Sequence, residues 1–299
     1  MPELPDICAY LHALERMTLG RKLHSVSIGS PFFLRSVQPS PDACANRRVR
    51  EFRRLGKRIA IGLDGDYWLV LHLMIAGRLQ WKDGGTAPSI RSRNVLAALR
   101  FDNGTLLVTE AGSKKRASLY VVQGKDSLLE HDPGGLEVLD ADVESFSAAI
   151  RSENRTLKRA LTDPRILSGI GNAYSDEILH AAGLSPVQLT SALSDDAVRR
   201  LHASTVQVLR MWTDRLVGEA ESIFPKKVTA FRPEMAVHGR YRKPCPVCAT
   251  PIQRIRYASS ETNYCPQCQT GGKVLKDRSL SRILKDDWPR SIDELERPG

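Results

Sequence analysis

The chain has 299 residues, enough for two domains with cores of their own, and its 41% hydrophobic and 26% charged residues exclude a polypeptide disordered over most of its length. No window holds the roughly 20 unbroken apolar residues of a membrane helix, and MPELPDICAY, with acids at Glu3 and Asp6, lacks the basic-then-apolar order of a signal peptide, so a cytoplasmic location is expected. The 44 basic against 34 acidic residues give +10, of which residues 225–290 carry +9 (14 Lys or Arg against 5 Asp or Glu); so concentrated an excess points to a polyanion partner or, read blandly, to a basic solvated face.

After PELP, the apolar residues Ile7, Tyr10, Leu11 and Leu14 recur at helical spacing and predict a helix over 6–19. Runs rich in Val, Ile, Leu and aromatics predict strands over 23–28, 58–63, 67–74, 95–101 and 105–109. Asp64-Gly65 and Asn103-Gly104 are turn pairs between neighbouring runs, as in the hairpins of an antiparallel sandwich or barrel. A loop of Pro, Gly and acids around 130–135 marks a boundary. From Leu139 the periodicity is helical, over 142–152, 157–161, 173–182 and 194–221, the last opened by the cap-like Ser194 with Asp195 and Asp196. Beyond Phe224 the chain turns basic and loop-rich, before a short final segment over 279–288. The expected fold class is α+β and multidomain: an N-terminal antiparallel β-sandwich over 1–130, a helical domain over 131–235, and a cysteine-bearing finger with a C-terminal extension over 236–299.

Four of the six cysteines form two C-x-x-C pairs, Cys245 with Cys248 and Cys265 with Cys268, separated by 16 residues. The spacing is that of a zinc ribbon, in which two tight turns supply four thiolates and close the coordination shell. One structural zinc is therefore expected, against the alternatives of disulfides or a redox pair. Cys8 and Cys44 have no partner at ligand spacing and read as buried hydrophobes.

A proline after the initiator Met becomes, once Met1 is removed, a secondary amine with an ordinary pKa of roughly 8. Attack of such an amine on a sugar aldehyde carbon gives a charged iminium, an electron sink that promotes elimination at the adjacent carbon. Glu3, next in the chain, has the chemistry to shuttle a proton to the ring oxygen.

MPELPD, LGKRIA around Lys57, SGIGNAYSDEIL over 168–179 and the cysteine pairs together resemble, in order and over nearly the whole chain, the formamidopyrimidine-DNA glycosylase and endonuclease VIII family. The resemblance implies a β-sandwich carrying the catalytic proline, a helix-two-turn-helix domain and a zinc finger that grips DNA. It implies a glycosylase and abasic-site lyase of base excision repair acting on damaged DNA, with Pro2 as nucleophile and Glu3 as proton-transfer acid. No nucleotide cofactor or membrane is implied, and a monomer is. Lys57 would reach a phosphate from a hairpin turn, or is an ordinary turn lysine. Asn172 would hold a phosphate with the turn amides ahead of the next helix, or caps that helix. Lys158 resembles a family lysine near the same backbone, or is a solvated helix lysine.

Where the family has H-L-G-M-S-G the chain reads His72-Leu73-Met74-Ile75-Ala76-Gly77, placing Ile75 where a methionine fills the gap left by an extruded base. Where the family has D-P-R-R-F-G the chain reads EAGSKKRA over 110–117, without the aromatic; Lys115 or Arg116 takes the arginine's place beside the orphaned base. The finger arginine, five residues before the third cysteine, is Ser260, with Arg254 and Arg256 nearby as compensating cations, and the finger continues through 269–287. Two other readings are carried: a catalytically weak or inactive DNA-binding paralogue that recognises damaged or single-stranded DNA, and a zinc-ribbon protein of RNA metabolism, which leaves the N-terminal constellation unexplained.

Overall fold

The structure, a computed structural model, describes residues 1–84, 90, 92–112, 114–226, 228–229, 231–257, 260–277 and 289–295, so the expected final segment over 279–288 lies outside the described residues. The chain forms two compact units, Met1–Pro133 with Met211–Thr229, and Gly134–Arg210 with Ala230–Gly299.

The first unit opens on helix α1 (Leu4–Thr18). Asp6 accepts from the backbone N–H of Glu3 at 3.0 Å, satisfying a donor that the first turn leaves without an intrahelical partner. The stripe Leu4, Ile7, Tyr10 and Leu14 is fully buried, as a 3.6-residue period requires of a helix lying on a sheet. Eight strands follow: β1 (Lys22–Ile28), β2 (Arg47–Leu55), β3 (Arg58–Leu63), β4 (Tyr67–His72), β5 (Gly77–Asp83), β6 (Val95–Phe101), β7 (Gly104–Glu110) and β8 (Ser118–Gln123). They are antiparallel in the order β5-β7-β6-β1-β2-β3-β4-β8. Only two residue pairs join β1 to β2, so the strands divide into two four-stranded halves, the sandwich expected from the sequence. On β3 and β4 the residues of both faces are buried: Ile59, Ile61, Leu69 and Leu71 on one, Ala60, Trp68 and Val70 on the other. Leu55 and Leu128, the latter from helix α2 (Lys125–Leu129), cover the second face.

Three strands go beyond the expected set. β2 reads RRVREFRRL, and its five arginines hide the alternation that buries Val49 and Leu55. In β5, GRLQWKD, the buried residues are Gly77 and Leu79, so a single large apolar side chain marks the strand. β8 is apolar, but no turn pair announces it, because a side chain closes the loop before it. Residues Met211–Thr229 complete this unit: the Phe224 ring lies 5.9 Å from Tyr10 and 6.5 Å from Trp81, and Glu221 pairs with His12 at 3.4 Å.

The second unit holds helices α3 (Val143–Arg151), α4 (Leu157–Thr162) and α5 (Asn172–Ala181), and α6 (Asp195–Ala220) as far as Arg210. Asp142 caps α3 by accepting from Ser145 N–H at 2.8 Å. After α6 come the hairpin β9 (Gln253–Tyr257) with β10 (Ser260–Tyr264), in which Ile255 faces Thr262, and the short α7 (Pro266–Thr270). Val274 and Ile292 donate to the carbonyls of Arg290 and Gly272 at 3.0 and 3.2 Å, so residues 289–295 return to the finger. Among the described residues no helix is long and apolar enough to cross a membrane.

Candidate active site and nucleic-acid interface

In the first unit, the chain enters α1 through Pro2, which is buried, and Glu3, which is 2% exposed. The terminal amine of Met1 is held below its ordinary pKa, first by burial; Glu3 and Asp6 oppose the shift, and Arg78 and Lys57 add to it. The terminus, two acids and two cations thus share one neighbourhood. Lys57 comes from the β2–β3 turn, as expected, and is half-buried. His72, at the end of β4, is pushed down to about 4 by burial and by the nearby Arg58 and Lys57 charges, and so is neutral near pH 7. Arg78 and His72 belong to this cluster although the sequence assigned neither a role; the signal was that His72 opens the HLMIAG motif and Arg78 directly follows it.

Ile75 stands at the apex of the turn between β4 and β5 and is 59% exposed. Gly77 donates to the Leu73 carbonyl at 2.9 Å, and a Cβ at Gly77 would lie 2.2 Å from that oxygen, so only glycine closes this turn. The Arg78 guanidinium donates to the Ile75 and Gly77 carbonyls at 3.1 and 2.6 Å, fixing the apex. Met74 adopts φ +52° beside it and is half-buried.

In the β7–β8 loop the carboxylate of Glu110, 2% exposed, accepts from the backbone N–H groups of Arg116 at 2.8 Å and Ala117 at 3.1 Å. The Lys115 ammonium turns back to the Glu110 carbonyl and to Asn94 Oδ1, the latter at 3.4 Å, whereas the Arg116 side chain is exposed. The two cations left open by the sequence therefore differ: one is tied to its own loop and the other faces solvent.

In the second unit, Asn172 is the first residue of α5, after the cap Gly171. Its side-chain Nδ2 donates to the Glu261 carbonyl on β10 at 2.9 Å, and its own carbonyl accepts from Lys158 Nζ at 2.6 Å. Lys158 is only 12% exposed and also pairs with Asp176, which is fully buried. The second Asp176 oxygen accepts from Asn263 N–H at 3.1 Å and lies 2.7 Å from His238 Nδ1. The neighbouring Glu177 accepts from the N–H groups of Ala236, Val237 and His238 at 2.7, 2.9 and 2.9 Å; burial raises its pKa while these bonds pull it back. Lys158 is thus the buried end of a polar network that ties α5 to the finger, not a solvated helix lysine. Asp176, Glu177 and His238 escaped the sequence reading, although two adjacent acids inside an apolar helix already called for buried partners.

The Sγ atoms of Cys245, Cys248, Cys265 and Cys268 lie within 4.8 Å of one another, with separations of 3.4 Å for Cys248–Cys265 and Cys248–Cys268 and 3.9 Å for Cys245–Cys268. Zinc–sulfur bonds of about 2.3 Å in a tetrahedron set the sulfurs about 3.8 Å apart, so this cage fits zinc. Backbone N–H groups of Val247 and Cys268 approach Cys245 and Cys265 Sγ, each at 3.4 Å, and His180 Nε2, from the last turn of α5, lies 3.3 Å from Cys245 Sγ. Cys44 is fully buried, as expected, and Cys8 is half-buried. On β9, Arg254 stacks 4.0 Å above the Tyr241 ring centre and pairs with Glu261 at 3.0 Å; the Arg256 side chain is exposed, and its backbone N–H is held by Asp277 at 2.7 Å.

Family models match in the same order along the chain: the formamidopyrimidine-DNA glycosylase N-terminal domain over 1–112, the formamidopyrimidine-DNA glycosylase H2TH domain over 134–215, and the zinc finger found in FPG and IleRS over 242–271. A formamidopyrimidine-DNA glycosylase of Variovorax paradoxus is 31% identical over 285 residues, covering 90% of this chain and 100% of that protein. An uncharacterized formamidopyrimidine-DNA glycosylase-like protein of Mycobacterium tuberculosis is 37% identical over 151 residues, 50% of this chain and 94% of that protein. In fold, the chain is similar to a Lactococcus lactis formamidopyrimidine-DNA glycosylase bound noncovalently to DNA containing an AP site, with a TM-score of 0.77 at 23% identity over 90% of this chain and 99% of that one. The finger match and the four-thiolate cage make the metal centre a structural zinc site. A sandwich, a helical H2TH region and a zinc finger in that order, with similarity along the full length of a curated relative, mean that the chain belongs to the formamidopyrimidine-DNA glycosylase family of DNA repair enzymes.

Proposed function

We propose that the chain is a bifunctional DNA glycosylase and abasic-site lyase whose nucleophile is the Pro2 amine, exposed by removal of Met1. The observation that carries this reading is the burial of Pro2 and Glu3 side by side at the start of α1, next to a Met1 amine that is itself held below its ordinary pKa, first by burial, with Arg78 and Lys57 adding to the shift and Glu3 and Asp6 opposing it. Attack of Pro2 nitrogen on the sugar C1′ breaks the bond to the base, which leaves with the electron pair and takes up the proton that the amine gives up. Glu3 delivers a proton to the ring oxygen as the sugar opens, leaving an iminium at C1′. Loss of a C2′ proton then expels the 3′ phosphate, because the iminium accepts the electron pair. Lys57 is proposed as a phosphate contact beside the reacting sugar.

Residues 1–130 carry this chemistry in our reading, 131–235 hold DNA through the turn before α5, and 236–299 form the finger. Damaged DNA is the partner and the protein acts as a monomer. Asn172 holds a phosphate, with Lys158 positioning its carbonyl from behind. Arg116 meets the orphaned base while Lys115 supports the loop; Arg256 reaches phosphate while Arg254, stacked on Tyr241, stiffens the hairpin. Ile75 enters the space of an extruded base, which a stacked duplex would otherwise keep closed.

Borohydride trapping on abasic DNA tests the reading. Wild-type protein is expected to give a covalent adduct, and Pro2→Gly, or a chain with its N-terminus blocked, to give none while still binding DNA. Trapping at an undiminished rate with a blocked terminus would move the nucleophile to a lysine. Binding without trapping in the wild type would favour the non-catalytic paralogue.

A further inference from the structure

Phe231 is 70% exposed, yet its surroundings are built rather than loose. Its ring lies 5.4 Å from the His238 imidazole at an interplanar angle of 20°, a stacked arrangement. His238 is itself buried and fixed, its Nδ1 2.7 Å from Asp176 and its backbone N–H bound to Glu177 at 2.9 Å. The ring also leans on Gly239, where φ is +71° and an added Cβ would lie 2.8 Å from a ring carbon. An aromatic surface is therefore held against a rigid buried layer while most of it meets solvent.

The neighbouring charge says what such a surface suits. Residues 231–243 carry Arg232, Arg240, Arg242 and Lys243 against the single acid Glu234. A phenylalanine offers no hydrogen bond, so it cannot read a base edge or grip a phosphate, but every base has a π-face that stacks on such a ring, and flanking cations keep the backbone close. The β7–β8 loop, residues 110–117, contains no aromatic residue. We propose that Phe231 is a stacking platform for an unpaired nucleobase of bound DNA, an inference that rests on the DNA-binding reading above and not on the Pro2 chemistry.

The test compares DNA affinities of the full, zinc-loaded chain for three probes: a fully paired duplex, the same duplex with one bulged base, and its single strand. Phe231→Ala is expected to weaken binding of the bulged duplex and the single strand on the order of tenfold, with little change for the paired duplex. Phe231→Tyr, which keeps the ring, is expected to retain wild-type affinity. In Phe231→Trp, emission above the wild-type background should be quenched by the bulged duplex and not by the paired one, a signature that a purely structural ring would not give. Equal losses on all three probes, no loss on any, or an unquenched Phe231→Trp would overturn the proposal, with zinc content and unfolding midpoint as controls for folding. A wild-type chain that binds none of the probes fails at the parent reading, and that outcome is distinct because no variant is needed to see it.

Discussion

The Met1 amine is held below its ordinary pKa first by burial, with Arg78 adding to the shift and Glu3 opposing it. On the proposal that the Pro2 amine meets the same neighbours once Met1 is removed, the rising limb of a trapping pH profile, which reports the fraction of neutral amine, is expected below the ordinary value of roughly 8. Arg78→Gln removes a cation that disfavours protonation, and the limb should move to higher pH; a limb that stays in place would separate Arg78 from the nucleophile. The β7–β8 loop offers a second contrast, since Arg116 is exposed while Lys115 holds its own loop. Arg116→Ala is expected to reduce cleavage of duplex lesions several-fold more than it reduces lyase activity on single-stranded abasic DNA, where there is no orphaned base to meet. Equal loss on the two substrates, measured as kcat/KM, would remove that role.

At the level of elements, α5 is joined to the finger at both ends. Near its start are Asn172 to Glu261 and the Asp176 network, and at its last turn His180 meets Cys245 while Gln269 bridges the Leu184 carbonyl and the Cys265 N–H. Asp176→Ala would strand the Lys158 ammonium, a change expected to cost about 3–5 kcal/mol of unfolding free energy, readable by urea titration; a cost below about 1 kcal/mol would mean that Lys158 finds water instead. A hydrogen bond from His180 to a ligating thiolate is an outer-shell contact of the kind whose loss typically weakens metal binding about 10–100-fold. His180→Phe should therefore release zinc to a chelator faster by a similar factor, with His180→Gln, which still carries an N–H donor, falling between. Identical release from all three proteins would assign His180 to packing alone.

Elements whose information is local were legible in the sequence. The cysteine pairs specify a cage through spacing alone, α1 follows from Ile7, Tyr10 and Leu14, and the β3–β4 hairpin follows from Asp64-Gly65. What escaped depends on distant partners. β8 follows a loop closed by the Glu110 carboxylate and not by a turn pair, β2 hides its alternation behind salt-bridged arginines such as Arg50 with Asp64, and Asp176 finds its partners on three separate segments. Lys158 shows the same limit at the candidate site, because a lysine with helical neighbours looks alike whether it faces water or a buried aspartate.

For the molecule as a whole, the question is how much of the cost of unstacking a base the protein recovers. Extruding a base costs a few kcal/mol, least when it is already unpaired. The chain presents an isoleucine at the β4–β5 apex, no aromatic in 110–117, and a serine at position 260 where a charge-assisted grip on phosphate would need arginine. Single-stranded, bubble or abasic substrates should therefore be processed faster than 8-oxoguanine paired with cytosine in an intact duplex. Ile75→Met combined with Ser260→Arg should narrow that gap by raising duplex turnover more than single-strand turnover. Equal or faster cutting of the paired duplex by the unmodified chain, in single-turnover assays, would mean that these departures do not weaken base extrusion.

The composition of the first unit from Met1–Pro133 and Met211–Thr229 has a consequence for biosynthesis. During translation Tyr10 and Trp81 leave the ribosome long before Phe224, the ring that packs against both. The sandwich can pair its strands early, but this aromatic cluster stays open while the intervening 77 residues, Gly134–Arg210, are made. Domains fold as units during synthesis, and transiently exposed apolar surface is where aggregation begins. A released chain ending just before Met211 should accordingly bind a hydrophobic dye and a holdase chaperone more strongly than one ending just after Thr229, because only the second can close the aromatic cluster of the first unit.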